Sequence, residues 1–89
     1  MNDRDKPLLE FPCDFPIKVV GRNDPAFVPL VRELVERHVP DLPAGAIRTR
    51  ASREDRFISV TVTVTATSRK QLDEVYMELS AHEDVMMVL

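Results

Sequence analysis

From Phe57 to Thr67 the chain alternates between two chemistries, with Ile58, Val60, Val62, Val64 and Ala66 on one parity and Ser59, Thr61, Thr63, Thr65 and Thr67 on the other. Side chains of a β-strand repeat every two residues, so this segment reads as a strand with one dry face and one wet face. Such a strand belongs in an antiparallel sheet covered by helices on one side and open on the other. The wet face is rich in hydroxyls and almost free of ionisable groups. The segment therefore constrains the fold strongly and the activity weakly.

The flanking segments supply the remaining layers. Phe15, Ile17 and Val19 share one parity and Lys18 and Val20 the other, which predicts a first strand running to Gly21, where backbone freedom permits a sharp turn. A helix follows, with Asn23 or Asp24 as its cap, Pro25 at its first position and an apolar face of Phe27, Val31, Leu34, Val35 and Val39, stopped by Pro40. Pro29 lies deep for a first turn, so the regular helix is expected to be kinked or to begin late. Asp41 to Gly45 has loop chemistry, Ile47 to Ala51 offers a short second strand, and Ser52 to Arg56 turns the chain back into the long alternating strand. Ser68 with Gln71 is a capping-box signature, ahead of a helix whose apolar face is Leu72, Val75, Tyr76 and Leu79. Val85 to Leu89 is an apolar run of strand length.

The order strand, helix, strand, strand, helix, strand is the ferredoxin-like βαββαβ pattern, an α+β sandwich with a four-stranded antiparallel sheet and two helices on one face. Right-handed crossovers place the first and third strands centrally and the second and fourth at the edges. Residues 1–7 read as a flexible tail and residues 8–89 as a single domain. With 44% hydrophobic residues, 30% charged residues and a net charge of −3, the composition is that of a soluble globular protein, and the expected location is the cytoplasm. No apolar run approaches the ~20 residues that span a bilayer, so no membrane partner is expected.

Ionisable chemistry is sparse. One cysteine, Cys13, and two histidines, His38 and His82, do not assemble into a nucleophilic triad or a metal-ligand spacing, and Gly21 alone makes no phosphate loop. Neither an enzyme nor a cofactor is expected. The first candidate site is the turn Gly21, Arg22 and Asn23, where backbone amides at a helix start attract anions and Arg22 can clamp a carboxylate, although the same residues suit an ordinary capped turn. The second is the cluster Arg48, Arg50, Arg53 and Arg56, which either protects an edge strand from aggregation or forms a surface for an acidic partner. RNA is not expected, because the wet face offers threonines where stacking platforms carry Phe or Tyr. The apolar C-terminal strand, at an edge, requires cover from the N-terminal arm or from another chain, and a second copy is one such partner.

Several segments together resemble the YbeD-like family of small bacterial proteins, a domain family of unknown function. They are Leu8-Leu9-Glu10-Phe11-Pro12, Phe15-Pro16 with Lys18-Val19-Val20-Gly21, Arg37-His38 with Pro40, Tyr76 with Glu78-Leu79, and Met87-Val88-Leu89. The departures lie in Asp41 to Arg56 and at Met86, where a basic residue is expected. The resemblance implies a fold similar to the ACT regulatory domains and a proposed link to lipoate metabolism, with no catalytic residues. It implies a non-enzymatic regulatory module that senses a small carboxylic acid effector, with the effector's charged group meeting the first helix at Gly21 to Asn23. The alternative is a protein-interaction adaptor that uses the basic hairpin or the C-terminal edge strand.

Overall fold

A computed structural model describes residues 10–89, so the expected tail and the start of order near Leu8 lie outside the described residues. The elements are β1 (Cys13–Arg22), α1 (Phe27–Glu36), β2 (Ile47–Ala51), β3 (Phe57–Ala66), α2 (Arg69–Ala81) and β4 (Val85–Val88), with a single 3₁₀ turn at Ala44–Ala46 ahead of β2. The sheet order is β2-β3-β1-β4, with antiparallel pairing throughout. This is the expected ferredoxin-like arrangement, with the long alternating strand central.

β1 and β3 pair over their full lengths, from Cys13 opposite Ala66 to Arg22 opposite Phe57. In that register Ile17 and Val19 lie beside Val62 and Val60 on the inner face, and all four are fully buried. Val31, Leu34 and Val35 of α1 and Leu72, Val75 and Leu79 of α2 close over them. No polar or charged side chain is buried among the described residues, so the core is held by apolar burial and packing alone.

The regular helix of α1 begins late, as Pro29 led one to expect, but its cap departs from expectation. Asn23 and Asp24 do not cap the helix directly, and Pro25 is not its first residue; the regular helix begins at Phe27. Asp24 instead closes a turn one step earlier, its Oδ1 accepting from the Ala26 N–H at 2.7 Å. The late start places Pro29 third in the helix, where a missing N–H costs nothing because the first turn has no intrahelical acceptors. The first regular bond runs from the Leu30 N–H to the Ala26 carbonyl at 3.1 Å. At α2 the cap is as expected, with the Gln71 N–H donating to Ser68 Oγ at 3.1 Å. The Gln71 side chain does not close the box on the Ser68 N–H: its Oε1 accepts from the Thr67 N–H one residue earlier, and its Nε2 donates to the His38 carbonyl, tying the end of α1 to the start of α2.

Gly21 is needed for space and not for backbone freedom, which corrects the expected turn. β1 continues through it to Arg22, and it does not have a positive φ. A Cβ at this position would lie 2.3 Å from the Phe27 ring and 2.9 Å from the Asp84 carbonyl oxygen. The ring can give only by leaving the core and the carbonyl belongs to the chain entering β4, so neither yields cheaply.

Gly21→Ala is expected to destabilise by about 1–3 kcal/mol through overpacking, and Val62→Ala by about 1–4 kcal/mol through the cavity it leaves. Thr63→Ala, on the wet face of the same strand, should stay within about 0.5 kcal/mol of the parent. Urea unfolding of the three variants checks the ranking, and equal losses at Val62 and Thr63 would contradict the assignment of faces.

Candidate functional site

The turn after β1 borders the larger of two cavities relevant to the sequence-predicted sites. It measures about 600 Å³ and lies between the start of α1 and the segment entering β4. Phe27, Pro29, Leu30 and Met86 form its apolar wall, and Asp24, Glu33, Glu83 and Asp84 its charged rim, with Arg22 as the one arginine. Of the three residues expected to bind an effector, only Arg22 lines this space. Gly21 is buried beneath the Phe27 ring. Asn23 is turned to the β2–β3 hairpin, where its Nδ2 donates to the Asp55 carbonyl at 3.1 Å and its N–H to the Arg56 carbonyl at 2.9 Å. Four carboxylates around one guanidinium make the cleft unfavourable to a carboxylate ligand.

The four arginines of the second candidate separate into two pairs. Arg48 and Arg50 lie in β2 opposite Thr61 and Ser59, on the wet face of the sheet. Arg53 and Arg56 lie in the connecting hairpin, where Asp55 takes a left-handed φ of 57° and Arg56 Nε stands 3.7 Å from Glu54 Oε1. The register brings Lys18 and Val20 of β1 beside Thr61 and Ser59, so a second strand adds to the arginine face. A shallow cavity of about 270 Å³ forms there, lined by Lys18, Val20, Arg50, Ser52, Phe57 and Ile58 among others. Sequence reasoning assigned no role to Lys18. The signal was its parity with Val20, opposite to that of Ile17 and Val19, but only the pairing with β3 places it next to β2's arginines.

The helix layer carries its charges differently. Arg32 pairs with Glu36 at 3.0 Å, Arg69 with Asp73 at 3.4 Å, and Arg37 with Glu78 at 2.6 Å across the two helices. His38, read from sequence as sitting at the edge of the apolar stripe in the last turn of α1, presents Nε2 to Glu78 Oε1 at 3.0 Å. A carboxylate only accepts, so Nε2 carries the proton. Hydrogen bonds from His38 and then Arg37 hold the Glu78 carboxyl below the usual carboxylate range. This cluster joins the C-terminal end of α1 to α2 as a polar clamp. His82 is also engaged, accepting at Nδ1 from the Asp84 N–H at 3.1 Å. Among the described residues no group of three or more His, Cys, Asp or Glu is placed to hold a metal ion, and no helix is long and apolar enough to cross a membrane.

Because the folded-state pKa of Glu78 is depressed, its stabilising contribution is complete above the ordinary carboxylate value and is lost as pH falls through the lower folded value. Glu78→Gln should therefore be less stable than the parent at about pH 6, and the difference should shrink as pH falls below the ordinary glutamate value of about 4.3. Thermal melts across that range check this, and a difference independent of pH would contradict it.

A family model described as "Protein of unknown function (DUF493)" matches residues 6–89. The UPF0250 protein of Chromobacterium violaceum is 47% identical over 89 residues, covering all of both chains. The UPF0250 protein of Azotobacter vinelandii is 46% identical over 92 residues, again covering all of both. Among solved structures, the solution structure of protein HP0495 from H. pylori superposes with a TM-score of 0.73 at 20% identity, covering 98% of this chain and 91% of that one, a likeness of fold. Full-length identity at this level, with the ferredoxin-like fold and the YbeD-like segments in order, establishes that the chain belongs to the DUF493 (UPF0250) family of small bacterial proteins.

Proposed function

We propose that this protein is a non-enzymatic regulatory module that senses a small carboxylic acid, and that the acid binds on the open face of the sheet and not at the turn after β1. The observation that carries this reading is the lining of the smaller cavity. Lys18 and Arg50 stand beside Val20 and Phe57 on the open face, which suits a carboxylate head with an apolar body. The larger cleft has the opposite electrostatics, four carboxylates against Arg22. Both histidines already serve structural contacts, which supports binding over catalysis. The cavity is shallow and small by the standard of pockets that enclose a ligand, roughly 300–1,000 Å³, so affinity should be weak for the isolated chain. Lipoate, the acid to which the YbeD-like resemblance points, is the first candidate because it joins a carboxylate to a short apolar chain.

Titration of the ¹⁵N-labelled protein with lipoate and with amino acids tests the proposal. Lipoate should shift the amides of Lys18, Val20, Arg50 and Phe57, and Arg50→Glu should abolish the response while Arg22→Glu leaves it intact. Shifts confined to Gly21 to Asp24 would move the site to the turn, and no shifts at either place would remove the small-acid reading.

A further inference from the structure

We infer that the open face of the sheet is also a docking surface for an acidic amphipathic helix of a partner protein. Two rows of side chains cross this face. In one, Arg50 lies beside Ser59, Ser59 beside Val20, and Val20 beside Met87. In the next, Arg48 lies beside Thr61 and Thr61 beside Lys18, while Leu89 is joined to Lys18 by paired backbone hydrogen bonds of 3.1 and 2.8 Å. Each row runs from a guanidinium on β2 to an apolar side chain at or just beyond β4. Three strand spacings make it ~14 Å wide.

The two ends of the rows ask for different chemistry. Met87 and Leu89 are 51% and 60% exposed, large apolar side chains on a face that no helix of the described residues covers. Arg48, Arg50 and Lys18 form no ion pair with any described residue, whereas Arg32, Arg37 and Arg69 of the helix layer are each matched by a carboxylate. Among the described residues the cationic edge thus has no carboxylate partner, and the opposite edge is apolar. An α-helix, ~10–12 Å across with its side chains, fits this width when laid along the strands. Its apolar stripe would cover Met87 and Leu89 and its acidic flank would reach Arg48 and Arg50, the helix-on-surface mode read at i, i+3, i+4 and i+7.

Other occupants fit less well. A second copy placed face to face would set Lys18, Arg48 and Arg50 against their own like charges or, turned about the strand direction, lay the β2 arginines over Met87 and Leu89; neither arrangement gives the cations a carboxylate. RNA would find cations, but Phe57 is the one ring of this face, and Met87 and Leu89 give bases nothing to stack on. The surface shares Lys18, Val20 and Arg50 with the small-acid site, but its apolar half, Met87 and Leu89, lies outside that cavity.

The test uses the full chain and three probes: a synthetic helix of about 18 residues with a leucine stripe flanked by glutamates, the same helix with lysine replacing glutamate, and a uridine-rich single-stranded RNA. The acidic helix should shift the amides of Val20, Ser59, Thr61 and Met87. Arg48→Glu with Arg50→Glu should weaken it about tenfold or more, and Met87→Asp should do the same independently. Far-ultraviolet circular dichroism of each variant guards against unfolding. Equal binding of the lysine helix, tighter binding of the RNA at the same amides, or no shifts with the acidic helix at millimolar concentration would overturn the inference. Met87→Asp separates it from the small-acid proposal, since lipoate binding at Lys18 and Arg50 should survive that change.

Discussion

The structure depends on the pairing of β1 with β3, two strands of ten residues in full register whose shared inner face is entirely apolar. Water must be excluded from that face, and both helices are drawn to it because each presents one apolar stripe. Burying each valine or isoleucine contributes roughly 1.5–3 kcal/mol as an upper estimate. The inner face carries no polar group that requires a partner, so its packing sets the position of the remaining elements. β2 is attached through β3, and β4 through β1 with an irregularity between Val20 and Gly21. Gly21 marks the tightest point, where β1, the Phe27 ring and the chain entering β4 meet.

Covering one face of the sheet leaves the other to solvent, and the two exteriors differ in charge. The helix layer answers its arginines with carboxylates one turn away or on the neighbouring helix. The sheet face gathers Lys18, Arg48 and Arg50 from β1 and β2, consecutive strands of the chain that β3 separates in the sheet. A net charge of −3 conceals this separation. Long-range attraction is weak for such a molecule, but at close range, within a Debye length of about 8–10 Å, the cationic face dominates what approaches it.

The fold was legible because its main signals are local. Alternation over Phe57 to Thr67, the capping pair Ser68 and Gln71, and the order of elements each depend on residues near one another in sequence, and the topology follows from crossover handedness. The late start of α1 was legible from Pro29, but its cap was not, because Asp24 takes the Ala26 amide in a turn ahead of the helix, an outcome that propensity at Asn23, Asp24 and Pro25 does not rank. Gly21 was visible as a special position, but its reason was not: φ is ordinary, and the constraint comes from Phe27 and Asp84, the latter more than sixty residues away.

The candidate sites were less legible for the same reason. Arg48 and Arg50 were recognisable as a pair of one parity, yet Arg53 and Arg56 joined them only by proximity in sequence, and the hairpin turns them aside. Lys18 enters the site through register with β3, and Met87 and Leu89 through register with β1. Sequence by itself determined which residues alternate, which faces are dry and which segments are helices, because those patterns are set by backbone periodicity within a few residues. Tertiary structure alone decided that a carboxylate rim surrounds Arg22 and that the cations of β1 and β2 share one face, because charge and contact depend on distances across strands that no local pattern encodes.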